Sequence, residues 1–217
     1  MTKMIGVPAK NFGRDQLCIM DTPAAVSEGL NRIFEKVKDG ERIDNTVECP
    51  GFIVDLYFPY MTTNSMLKNG IKSFYWAKTE QLKVVLNLDM KYGQEYFHYR
   101  KLEFELRALI EREKYYGGSY RRRIVAHSND CISTIQILPL NDYPSLFAFI
   151  RSSDILGLFP VDLLGLFEIM QNLHSSISAE KAKGYRMTML IGSAHLYINK
   201  KGELSTRDMI KEEENAS

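Results

Sequence analysis

The sequence is short of several residue types, and each shortage excludes a class of protein. Only three cysteines occur in 217 residues, Cys18, Cys49 and Cys131, with no CxxC pair and no histidine pair at zinc-ligand spacing among four histidines. Neither a disulfide scaffold nor a structural zinc site is therefore expected, and free thiols in a reducing compartment fit best. Charge of one sign is also lacking: 28 Lys and Arg stand against 27 Asp and Glu, a net charge of +1. The molecule then has no global field with which to grip a nucleic acid, and any phosphate must be met by local cations. Long apolar runs are missing too. Met1 to Lys10 has no apolar segment behind its lysines, and the greasiest stretch, Ile150 to Met170, is broken by Asp154, Asp162 and Glu168. A cytoplasmic protein without a membrane span is the expectation. No Gly-rich loop follows a strand pattern, which disfavours Rossmann and P-loop domains.

What remains is ordinary for a folded domain, with 45% hydrophobic and 25% charged residues. Without an internal repeat or linker, residues 1–217 are expected to form one domain with an irregular N-terminus over 1–21 and a polar, loose tail over 200–217. Thr22 and Pro23 form an N-cap and a first-turn proline ahead of Ala25, Val26, Leu30, Ile33, Phe34 and Val37, which predicts an amphipathic helix ending near Gly40. Residues 41–51 read as a polar loop, and Phe52 to Phe58 as a strand closed by Pro59 and the Thr62 to Ser65 cluster. A helix over Trp76 to Leu88 competes with a strand through Val84 and Val85. Leu102, Leu106, Leu109 and Ile110 predict a helix from Phe97 to Lys114, ended by Gly117 and Gly118. Strands follow at Cys131 to Leu138, Leu146 to Ile150 and Met187 to Ile191, with a turn at Tyr143-Pro144 and an apolar helix from Val161 to Ile177. Strands and helices mixed without βαβ alternation predict an α+β fold with a mixed sheet packed against helices.

The segment from Arg122 to Asp162 gathers a thiol, several arginines and carboxylates that include Asp154 and Asp162. Singly, each has a plain structural explanation. Cys131 suits a buried strand start, Arg121 to Arg123 a solvated edge, and Asp154 and Asp162 a turn and a helix N-cap. Together, Arg122-Arg123-Ile124-Val125, Cys131 with Gln136, Arg151-Ser152-Ser153-Asp154 and Gly192-Ser193-Ala194-His195-Leu196-Tyr197 resemble, in order and spacing, the thymidylate synthase superfamily, which includes the deoxycytidylate and cytidylate hydroxymethylases.

That resemblance implies a homodimer joined through its sheet faces, with a pyrimidine nucleoside monophosphate and 5,10-methylenetetrahydrofolate as reactants and no metal. Cys131 would be the thiolate that adds to C6 of the pyrimidine and makes C5 nucleophilic. Arg151, Ser152 and, across the dimer, Arg122 and Arg123 would clamp the phosphate, with Arg42 as a mobile fourth partner. Gln136, His195 and Tyr197 would also contact the nucleotide, the last two at the sugar, whether ribose or deoxyribose. Tyr92, in a Tyr92-Gly93 pair, and Asp154 would face the folate, and Glu80 would organise water. Asp162 stands where the synthases carry an asparagine that matches uracil. A carboxyl suits the reversed donor and acceptor pattern of cytosine, so the resemblance implies 5-hydroxymethylation of dCMP or CMP. The alternatives are methylation of dUMP and a nucleotide-binding homologue without chemistry. The usual proline-rich lead-in to the nucleophile is replaced by His127-Ser128-Asn129-Asp130.

Overall fold

The computed structural model describes residues 18–115, 124–138, 143–177 and 183–215. Strand β1 (Cys18–Ile19) precedes helix α1 (Pro23–Lys38). The Thr22 hydroxyl accepts from the Ala25 N–H at 3.1 Å, and Val26, Leu30, Ile33, Phe34 and Val37 are buried. The first helix thus starts, ends and faces the core as its periodicity dictates.

The next stretch departs from expectation. Residues 41–51 are not a polar loop but β2 (Glu41–Ile43) and the first part of β3 (Thr46–Pro59). Pro50 sits inside β3 opposite Ser193, where β3 is bonded only to β7, so its missing N–H is tolerated. Helix α2 (Asn64–Leu82) begins well before Trp76, because Thr63 caps it with a 3.2 Å bond from the Met66 N–H. Its core face is Leu67, Gly70, Ile71, Phe74, Tyr75 and Lys78. A lysine and a glycine at core positions obscure that period in the sequence. Lys83, in left-handed conformation, ends α2, and α3 (Leu88–Tyr115) starts earlier than Phe97.

Strands β4 (Val125–His127), β5 (Ile132–Leu138) and β6 (Ser145–Asp154) lead into α4 (Phe159–Ile177), followed by β7 (Gly184–Ile198). The polar tail is ordered in part: β8 (Leu204–Ser205) pairs with β7, and α5 (Arg207–Asn215) buries Ile210. The expected irregular N-terminus likewise includes β1 and the fully buried Met20. Gly117, Gly118, Arg122 and Arg123 lie outside the described residues.

The strands form one mixed sheet in the order β1-β3-β7-β6-β5-β4, with β2 added to β3 and β8 to β7. Together with the helices it is an α+β fold. Helices α1 and α4 pack on the sheet, α2 packs on both of them, and α3 packs on α4. Where α3 and α4 meet, the Tyr99 ring lies over Gly165, leaving no room for a Cβ. The opposite sheet face is more open, with Phe147 38% exposed and Arg186 tied to Asp55.

Central strands β6 and β7 run parallel, so both end at the same side of the molecule. The burial alternation in β7 changes phase near Gly192. Met187, Met189 and Ile191 are buried before it, and Ala194, Leu196 and Ile198 after it. A Cβ on Gly192 would lie 2.6 Å from the Arg151 carbonyl oxygen, and the neighbouring Gly51 of β3 has φ of 67°. This line of close backbone approach turns Ser193, His195 and Tyr197 away from the core. Replacing Gly192 with alanine should cost about 1–3 kcal/mol by forcing β6 and β7 apart. Urea denaturation of both proteins measures it, and equal stability would contradict the packing described.

Candidate active site

The site is built at the shared end of β6 and β7. Asp154, the last residue of β6, pairs in register with His195. Its Oδ1 accepts from the N–H groups of Leu156 and Gly157 at 3.1 and 3.0 Å, turning the chain from strand into helix. A side chain at 157 would strike the same carboxyl, since a Cβ would come 2.2 Å from Oδ2. The Gly157 carbonyl in turn accepts from the buried Tyr75 hydroxyl at 2.6 Å. Burial pushes the Asp154 carboxyl up, opposed by the Gly157 N–H and by His195.

This turn delivers Asp162 into the first turn of α4. Its backbone N–H bonds to the Leu158 carbonyl, so Asp162 lies inside the helix and is not its N-cap. The carboxyl is 7% exposed, and its Oδ1 accepts from the Tyr99 hydroxyl at 2.9 Å. Burial raises its pKa to about 7, with the Tyr99 bond opposing and the nearby Glu95 carboxylate adding to the rise. Ser153, buried beside it, adds to the Tyr99 bond in opposing that rise. Tyr92 stacks on Tyr99 with ring centroids 5.8 Å apart and donates its hydroxyl to Glu168. Two tyrosines of α3 thereby fix α4, one turn of which carries Asp162.

Cys131 is exposed at the start of β5, not packed in the core. Arg151 braces it from β6: the Arg151 N–H bonds to the Cys131 carbonyl at 2.9 Å, and its guanidinium bonds to the Asn129 carbonyl at 2.8 Å. The loop before Cys131 is also held by Asp130, which meets His98 at 3.1 Å and the Ser128 hydroxyl at 2.8 Å. Burial raises the Tyr197 phenol, with the Asp154 charge adding to the rise and Arg207 opposing it.

Beside Tyr197 opens a cleft of about 340 Å³, lined by Ile43, Asp44, Asn45, Thr46, Glu48, Ser152, Ser193, His195 and Tyr197. His195 and Tyr197 meet edge to face with centroids 5.1 Å apart. The structure thus gathers Ser152, His195 and Tyr197 in one cleft, with Asp154 paired to His195 and Cys131 bonded through its backbone to Arg151, the neighbour of Ser152.

Other expected site residues lie elsewhere. Arg42 lies on exposed β2, near Gly202, in a smaller neighbouring cavity with Asn199 and Lys200. Glu80 is exposed on α2, and Gln136 lies on β5 opposite Phe147. Arg122 and Arg123 fall outside the described residues. Sequence reasoning missed Glu48, hidden in the expected loop, and Tyr75, Glu95 and Tyr99. The seven-residue spacing of Tyr92 and Tyr99, two helical turns, was the available signal for the stack. Among the described residues no group of His, Cys, Asp and Glu is placed to hold a metal ion.

No family model matches the chain, and no curated protein matches its sequence. A search of solved structures finds similarity to thymidylate synthase from T4 phage, with 16% identity, a TM-score of 0.47, and coverage of 79% of this chain and 76% of that one.

The raised Asp162 carboxyl carries a pH signature. In the unfolded chain it ionises near 3.8, and in the fold near 7. Between those values the folded protein keeps a proton that the unfolded chain has released. The stability from this group is therefore full below the lower value and falls as pH rises toward the upper one, by at most about 4 kcal/mol. Asp162→Asn should flatten that part of the profile when unfolding free energies are compared from acid to neutral pH. An unchanged slope would contradict the burial assigned to this carboxyl.

Proposed function

We propose that the protein is a pyrimidine-nucleotide one-carbon transferase of the thymidylate synthase superfamily, a 5-hydroxymethylase of cytidylate. The observation that carries this reading is the Asp162 carboxyl, buried, bonded on one oxygen by Tyr99, and raised to about 7. At neutral pH it is available in its protonated form. A protonated carboxyl donates to N3 of cytosine and accepts from the 4-amino group, the reverse of what uracil needs. An asparagine here would leave a mismatched pair.

The chemistry follows from the neighbouring groups. Cys131 as thiolate forms a bond to C6, and the electrons of the C5–C6 double bond make C5 nucleophilic. C5 takes the one-carbon unit and loses its proton, the bond from that carbon to the folate nitrogen breaks to leave an exocyclic methylene on the ring, water adds to the methylene, and sulfur then leaves C6. The net change converts cytidylate, methylenetetrahydrofolate and water into 5-hydroxymethylcytidylate and tetrahydrofolate. Arg151, whose backbone N–H bonds to the Cys131 carbonyl, offers a guanidinium fork to phosphate. The two residues expected to meet the folate are engaged within the protein: Asp154 holds its own turn and Tyr92 bonds Glu168. No step is therefore assigned to them. A second copy of the chain, laid on the open sheet face, would lend Arg122 and Arg123 to the phosphate.

A 5-fluorocytidine nucleotide incubated with methylenetetrahydrofolate should leave a stable adduct on the peptide containing Cys131, detected by mass spectrometry of intact and digested protein. Cys131→Ser should form none. Absence of adduct in the wild type, or its persistence in the variant, would overturn the assignment.

A further inference from the structure

The cleft beside Tyr197 has a chemistry of its own. Among the described residues that line it, Asp44 and Glu48 are the charged ones. Hydroxyl groups would find acceptors there. Glu48 faces His195 across the β3–β7 pair. Its Oε2 accepts from Ser193 at 2.7 Å and its Oε1 from Thr46 at 2.9 Å. The Thr46 hydroxyl also lies 2.8 Å from the Ile43 carbonyl, so one proton is shared between two acceptors. An ionised carboxylate has about four lone-pair positions, and this one receives at most two protons from the protein. The Ser193 bond holds Glu48 in the ionised form, below the usual carboxylate range, with Thr46 and His195 adding to the effect.

We propose that Glu48 makes this cleft a site for the vicinal diol of a ribose, so that the nucleotide it selects is a ribonucleotide and not a deoxyribonucleotide. This deepens the cytidylate reading and rests on it. Two adjacent hydroxyls present two donors to the spare acceptor positions of Glu48, with His195 and Tyr197 completing the polar wall. A deoxyribose offers one hydroxyl and leaves one of the spare acceptor positions of Glu48 without a donor, which is where discrimination arises.

Calorimetric titration of the full chain with CMP, dCMP and 2′-O-methyl-CMP tests this without requiring turnover. The wild type should bind CMP about ten- to a hundredfold more tightly than either analogue, because neither can donate from the 2′ position. Glu48→Gln and Glu48→Ala should bring CMP and dCMP within about threefold of each other, mainly by weakening CMP. If dCMP binds the wild type as tightly as CMP, or the variants keep the preference, the ribose assignment is wrong and the cytidylate reading stands. If none of the three binds, the cytidylate reading falls and this inference with it. The 2′-O-methyl probe decides the matter on wild-type protein alone should the variants fail to fold.

Discussion

Everything at this site hangs on the turn that Asp154 closes. Its carboxyl spends one oxygen on two backbone N–H groups, and in doing so converts the end of a central parallel strand into the start of α4. The alternative for those N–H groups is burial without a partner, at about 1–3 kcal/mol each. That constraint explains why Gly157 has no side chain and why Tyr75 reaches in to satisfy the Gly157 carbonyl. With the turn fixed, the first turn of α4 has one position, and Asp162 arrives beneath Tyr99.

Around that point the molecule sorts its charges. Asp154 at the end of β6 and Asp162 in the first turn of α4 are both buried, and desolvation raises them. Glu48, bonded by two hydroxyls and near His195, is lowered. Two carboxyl environments of opposite tendency within one region are what acid–base chemistry and neutral hydrogen-bond donation require. Arg151 keeps its positive charge on the other side, against the loop that presents Cys131. The fold thereby keeps the Arg151 guanidinium and the Glu48 carboxylate at separate places on the same end of the sheet.

Much of the architecture is legible from residue pattern, and the failures have identifiable causes. Helix α1 shows itself through Thr22, Pro23 and a regular apolar face. Helix α2 does not, because Lys78 occupies a core position, resting on the Phe34 ring at 3.8 Å and bonding Glu35 and Gln81. The first half of β3 is hidden by Pro50 and Gly51, which look like a loop yet mark the kink shared with β7. At the site, Asp154 pairs with His195, and His195 meets the Tyr197 ring. Residues outside the motifs, such as Tyr75, Tyr99 and Glu48, depend on tertiary contacts that no local spacing encodes. Arg42 and Glu80, single charges chosen by position, stand apart from the cluster.

The central claim is that the thiol at 131 and the carboxyl at 162 act together on a cytosine ring. The most direct measurement is release of tritium from C5 of labelled cytidylate and uridylate, followed side by side in the presence of methylenetetrahydrofolate. Wild-type protein should release label from cytidylate in preference to uridylate. Asp162→Asn should move that preference toward uridylate by about 1–3 kcal/mol, the worth of one base-edge hydrogen-bond pair. Release from neither nucleotide, or a preference unmoved by the substitution, would contradict the account.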